Sequence, residues 1–172
     1  FKKEGRLQRK GQFNDFINEL PAGIDLPVDA NIIPVYDKKA DSEAELFKES
    51  GSFTQNFNGL NVDVEFTLSS QNTGTVNTME INGVTYKDVL SSSIKLNMQI
   101  TATPGGFPVT VPLLEEQDVL TARHHFANDR GMIKSEVTTS FNFEDLSEVG
   151  IDLPDVDVNT VQQLEASNLV LP

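Results

Sequence analysis

The sequence predicts a mainly β protein: a strongly curved antiparallel sheet, half-barrel or barrel-like, with one or two short helices. Three observations carry that expectation. Apolar and polar residues alternate strictly over Leu60–Leu68 and over Ile94–Ile100, the period of a strand with one buried face. Asn-Gly pairs stand at 58–59 and 82–83 beside such stretches, and both positions tolerate the positive φ of a tight hairpin turn. Helical spacing, by contrast, is confined to two short windows near the start.

Taken in order, the opening FKKEGRLQRKGQ is basic and polar, read as a short strand or a loose polar terminus. FNDFINEL then sets Phe13, Phe16, Ile17 and Leu20 at helical spacing, with Pro21 and Gly23 as stop signals, so a short helix is expected there. IDLPVDANIIPVYD holds two prolines and reads as an extended connection. DSEAELFKE is expected to be a second short helix capped by Asp41 or Ser42.

From residue 52 the period becomes two. Closing a turn at Asn58-Gly59 pairs Phe57 with Leu60 and Phe53 with Val64. Val62, Val64, Phe66 and Leu68 fall on that same face, so turn chemistry and apolar pattern agree. A second turn at Asn82-Gly83 pairs Ile81 with Val84 and Met79 with Tyr86. SIKLNMQITA continues the alternation, with Ile94, Leu96, Met98 and Ile100 inward and Lys95, Asn97, Gln99 and Thr101 outward. TPGGFPVTVPLL also alternates, through Phe107, Val109, Val111 and Leu113, but Pro108 and Pro112 place it at a sheet edge.

HHFANDRGMIK, residues 124–134, poses a choice between a reaction centre and a turn. Adjacent strand residues face opposite ways, so His124 and His125 cannot share a metal from a regular strand. A loop over 128–131 pairs Phe126 with Ile133, Ala122 with Val137 and Arg123 with Glu136. A type I turn with a glycine bulge shifts this register by one residue; the first register is preferred because it gathers the apolar side chains. The tail from 144 is turn-rich, with a last strand near 164–171. The whole chain, 1–172, reads as one β-dominated domain, with an N-terminal segment and short helix over 1–30 and a C-terminal extension over 144–172.

The bulk numbers narrow the function. A net charge of −13 and a pI near 4.4 repel phosphate backbones and anionic membranes, so nucleic acid is not an expected partner. With no cysteine, disulfides and thiolate metal sites are excluded. No apolar run nears the ~20 residues of a transmembrane segment. The chain starts at Phe1, which is compatible with a removed export signal or lipid anchor.

No catalytic, cofactor or metal site is expected. The histidines are the groups that titrate near neutral pH, but no cysteine and no serine in a glycine-flanked elbow accompanies them. They read as ordinary strand residues, one half-buried and one exposed. Asp25, Asp29, Asp152, Asp155 and Asp157 lack the spacing of a calcium loop and read as solvated loops. Glu43, Glu45, Glu115 and Glu116 read as solvated faces.

HHFANDRGMIKSE resembles a hairpin of exported proteins and lipoproteins of the Bacteroidetes type. Their pattern is aromatic-aromatic-Ala, variable or glycine positions, then Gly-hydrophobic-hydrophobic-Lys. Phe126, Ala127, Gly131, Met132, Ile133 and Lys134 match it. His125 stands where an aromatic is usual, and Asp129 where glycine is common. INGVTYKDVLSSSIKL is similar to the strand pair upstream of that hairpin, so matching positions run from about 60 to about 140. The resemblance implies an extracytoplasmic protein, in the periplasm or at the cell surface, and names no reaction.

Area then becomes the deciding quantity. Seven strands spaced ~4.8 Å apart span about 30 Å, whereas one helix covers about 10 Å. The sheet must therefore curl on itself, split into two packed sheets, or leave a concave face for an apolar ligand. In the last case the lining would be Phe53, Phe57, Leu60, Val62, Val64 and Phe66, with Met79, Ile81 and Tyr86 from the second hairpin. Ile94, Leu96, Met98, Phe126 and Ile133 would complete it. The expected function is accordingly an extracytoplasmic binding protein for an apolar small molecule or lipid. The alternative is a structural or interaction module of the cell envelope with a self-filled core.

Overall fold

A computed structural model describes residues 2–3, 6–9, 33–57, 60–103, 110–128, 130–145, 147 and 153–164. Nine strands fall within them: β1 Lys2–Lys3, β2 Arg6–Arg9, β3 Ile33–Asp37, β4 Glu45–Phe57, β5 Leu60–Ile81, β6 Val84–Ala102, β7 Val111–Ala127, β8 Gly131–Phe141 and β9 Val156–Gln163. β4 to β9 form a six-stranded antiparallel sheet in chain order, and β1, β2 and β3 form a second, three-stranded sheet. The large sheet ends at β4 and β9 and does not close into a barrel. Of the smaller sheet, β3 packs on the large one, against β4, β5 and β6.

The strands flanking both Asn-Gly pairs have the expected registers. Phe57 pairs with Leu60 and Phe53 with Val64; Ile81 pairs with Val84 and Met79 with Tyr86. Asn82 and Gly83 have φ of 52° and 77°, the positive values that this hairpin turn demands. At the 126–133 hairpin both weighed registers occur in sequence. Ala122 pairs with Val137 and Arg123 with Glu136, but beyond His125 the ladder slips, so that Phe126 meets Met132 and Ala127 meets Gly131. Arg130 N–H donates to the Ala127 carbonyl at 3.3 Å, and Gly131 has φ 84°, so glycine absorbs the extra residue as a bulge.

Two expectations are corrected. Residues 45–49 are strand, not helix, because β5 runs on past Leu68 and offers them a partner: Phe47 pairs with Ser70 and Lys48 with Ser69. A nine-residue helix is marginal by itself, and a ready-made strand edge outcompetes it. There is no α-helix among the described residues; the helix expected over 13–20 lies outside them. The last strand among the described residues is Val156–Gln163; the strand expected near 164–171 falls outside them beyond Leu164. Finally, β7 is interior by order, yet β8 pairs with it only from Leu120 onward. Pro112, opposite Thr101 of β6, therefore still needs no donor for a second neighbour.

The core lies on one side of the large sheet. Val62, Val64, Leu68, Leu96, Met98 and Ile100 are at most 1% exposed, and Ile33 and Val35 of β3 join them. Polar side chains fix β3 there. Ser70 Oγ donates to the Pro34 carbonyl at 2.6 Å. Asn72 accepts from Asp37 N–H at 3.3 Å and donates to the carbonyls of Asp37 and Ala40 at 2.8 and 3.2 Å. Past Asn72 a register shift brings Gly74 opposite Ser91. Beyond it the long hairpin carries a second cluster of Ile81, Val89, Ala127 and Ile133.

β9 pairs with β8 along its length, and among the described residues no strand pairs with its other edge. Leu164 N–H donates to the Ile133 carbonyl at 2.9 Å. Antiparallel alternation then turns the backbone groups of Asp157, Asn159, Val161 and Gln163 away from β8. Val158 and Val161 are 47% and 51% exposed.

Asn72→Ala should cost about 1–3 kcal/mol, because it leaves the Asp37 and Ala40 backbone groups unpaired. Chemical denaturation checks this against the exposed Asn61→Ala, for which a change within about 0.5 kcal/mol is expected.

Candidate functional site

The residues expected to line an apolar ligand site fall into two groups. Val62, Val64, Phe66, Ile94, Leu96 and Met98 lie in the main core with Phe126, all 7% exposed or less. Phe53 and Leu60 are half-buried at its margin, and Phe57 lies at the end of β4, opposite Leu60. Met79, Ile81, Tyr86 and Ile133 belong to the separate distal cluster. Both groups are covered by the protein's own chain. Tyr36 of β3 packs its ring 4.7 Å from that of Phe126, and its burial pushes the phenol pKa up.

The two histidines do face opposite ways, but both are more enclosed than expected. His124 is 1% exposed on the core side. It belongs to a polar row that register draws across four strands: Asn72 beside Ser92, Ser92 beside His124, His124 beside Ser135. All four are buried. The Ser92 hydroxyl, like that of Thr139 nearby, makes no hydrogen bond among the described residues, so the row carries a desolvation cost inside an apolar layer. The row emerges only once the strands are in register.

His125 lies on the opposite, polar face. Its Nδ1 is 2.9 Å from Ser91 Oγ, its Nε2 is 3.7 Å from Glu136, and Lys134 Nζ is 2.9 Å from the other Glu136 oxygen. Arg123 pairs with Glu136 along the ladder. Burial pushes the His125 pKa down, and Lys134 and Arg123 add to this, while Glu136 opposes it. The hydrogen bond from Lys134, with the nearby His125, holds the Glu136 carboxyl below its ordinary range. Serine, histidine and carboxylate thus meet, as a hydrolase would need. However, Ser91 is 7% exposed, and β6 is paired on both sides. Its backbone N–H groups serve the ladders and do not form an oxyanion hole. The cluster is therefore an electrostatic clamp across three strands.

A groove of about 420 Å³ opens on the same polar face, nearer β4. It is lined by Ser50 and Ser52 of β4, Glu65 and Thr67 of β5, Asn97 and Gln99 of β6, and Glu116 of β7. The acidic candidates scatter: Asp155 accepts from Phe143 N–H at 2.8 Å, Asp157 is exposed in β9, and Asp25, Asp29 and Asp152 lie outside the described residues. No group of three or more His, Asp or Glu suited to a metal occurs among the described residues.

No protein-family model, no characterised protein and no solved structure matches this chain. No helix of the described residues is long and apolar enough to cross a membrane.

The clamp makes stability pH-dependent. Because the folded His125 pKa is lowered, the unfolded chain binds a proton first on acidification. The stabilising contribution is complete above about pH 6.5 and is lost as pH falls through the folded value. Glu136, also lowered, loses its contribution in a more acid window. Melting temperature should therefore fall between about pH 7.5 and about pH 5.5, and His125→Gln should flatten that fall. Thermal scans across the range check both.

Proposed function

We propose that this protein is a non-enzymatic, extracytoplasmic structural or interaction module whose core is filled by its own side chains. The observation that carries the reading is the closure of the apolar face. Leu68, Leu96, Met98, Ile100 and Leu120 are 2% exposed or less, with Ile33 and Val35 of β3 in the same cluster. Side chains this deeply buried fill the space between one another among the described residues, which supports a core packed by the chain itself. Coiling of the sheet into a half-barrel fits the same reading, since register shifts in the β4–β5, β5–β6, β6–β7 and β7–β8 ladders each add local twist. Placement outside the cytoplasm rests on the 124–134 hairpin and its resemblance to exported lipoprotein-type chains. What the protein offers to partners is then its polar face and its open β9 edge.

Native mass spectrometry after purification without organic solvent tests the core of this reading. The expected mass is that of the bare polypeptide, and co-purified lipid, adding several hundred daltons, would overturn it in favour of an apolar-ligand carrier.

A further inference from the structure

We infer that the groove on the polar face is a binding site for a neutral, polyhydroxylated ligand, such as a short stretch of glycan. Its floor is a regular grid. Ser52 pairs with Glu65 and Glu65 with Gln99; one row along, Ser50 pairs with Thr67 and Thr67 with Asn97. Three strands at ~4.8 Å spacing make the grid about 10 Å across, with rows about 7 Å apart, the scale of a disaccharide. Glu116 closes one side. The β6–β7 ladder shifts register three times between Leu96 and Thr101, beside the grid. Such bulges bend a strand and sharpen local twist, and this turns a flat polar face into a concave one.

The chemistry of the lining selects the ligand. The second row is engaged within the protein: Ser50 and Thr67 share a hydrogen bond at 2.8 Å, and Asn97 donates to Asp118 at 3.3 Å. The first row is not. The side chains of Ser52, Glu65, Gln99 and Glu116 make no hydrogen bond or ion pair among the described residues. Two carboxylates, an amide and a hydroxyl are thereby left with their full capacity, converging on one groove. Carboxylates accept from hydroxyl groups, and the amide both donates and accepts, which is the mixed demand of a polyol. No lysine or arginine lines the groove, and with a net charge of −13 a phosphate or carboxylate ligand would be repelled. Apolar ligands find only Phe66, which is 7% exposed and belongs to the core. Two carboxylates are too few for a protein-bound calcium site.

The test is an amide-resolved NMR titration of the whole chain with three probes: cellopentaose, maltopentaose and laminaripentaose, each to about 10 mM, the range of weak binding. At least one should shift resonances around Ser52, Glu65 and Gln99. Gln99→Ala and Glu116→Gln should each weaken it about tenfold or more, while Thr138→Ser, on the same face outside the groove, should leave it unchanged. Two independent surface variants guard against misfolding of either, and each is compared by its melting temperature. The inference is overturned if none of the three binds, if binding survives both substitutions, or if spermidine binds the groove and no oligosaccharide does. This outcome is separable from that of the core reading, since the groove lies on the other side of the sheet from the core.

Discussion

An antiparallel sheet with one oily side cannot stand alone in water, and the rest of this molecule follows from how that side is covered. β5 and β6 together present two long rows of valine, leucine, isoleucine, methionine and phenylalanine to one side. Burial of such side chains, worth about 1.5–3 kcal/mol each, is the main gain on folding. β3 supplies part of the cover, and it does so with Ile33 and Val35 inward. Hydrophobic attraction has no direction, so it does not fix where a short strand lands. Ser70 and Asn72 do, by taking up backbone groups at Pro34, Asp37 and Ala40. Two polar residues inside the oily rows therefore choose the position of the lid that the oily rows require.

The two faces of the sheet then divide the labour. The inner face is spent on stability, with Ser70, Thr139 and the buried polar row from Asn72 to Ser135 set among its apolar side chains. The outer face carries the clamp of Ser91, His125, Lys134 and Glu136 at one end and the groove at the other. The clamp ties β6, β7 and β8 together through side chains whose charge state depends on pH. The groove leaves one row of its polar groups, Ser52, Glu65, Gln99 and Glu116, without a partner among the described residues. That contrast, between groups satisfied within the protein and groups that are not, is the main reason for placing recognition at the groove and not at the histidine.

Much of the fold was legible in the sequence because strand periodicity and Asn-Gly turns are local signals. Leu60–Leu68, Ile94–Ile100 and both hairpin registers follow from residues a few positions apart. The first half of β4 was not legible: Asp41–Glu49 has a helix-like local pattern, and only the far extension of β5, distant in sequence, makes it a strand. β9 was not legible for the same reason, since it exists by virtue of the free edge of β8. The groove was hidden more deeply. Ser52, Glu65 and Gln99 were readable as outward residues, but their concavity depends on slips between β6 and β7 that no alternation pattern encodes. Glu116, read as one of a solvated pair, gains its role from that slip alone. Likewise the meeting of His125 with Ser91 needed the β6–β7 register, which the connection over 103–110 does not specify.

Among the described residues the outer edge of β9 is unpaired, and the acidic composition bears on what can approach it. Asp157 to Gln163 contains no lysine or proline to deter another strand, and its outward backbone groups are a template for a copy of itself. At neutral pH a formal charge of −13 keeps such copies apart by long-range repulsion. Near pH 4.4 that repulsion vanishes, and charge no longer opposes the approach of copies.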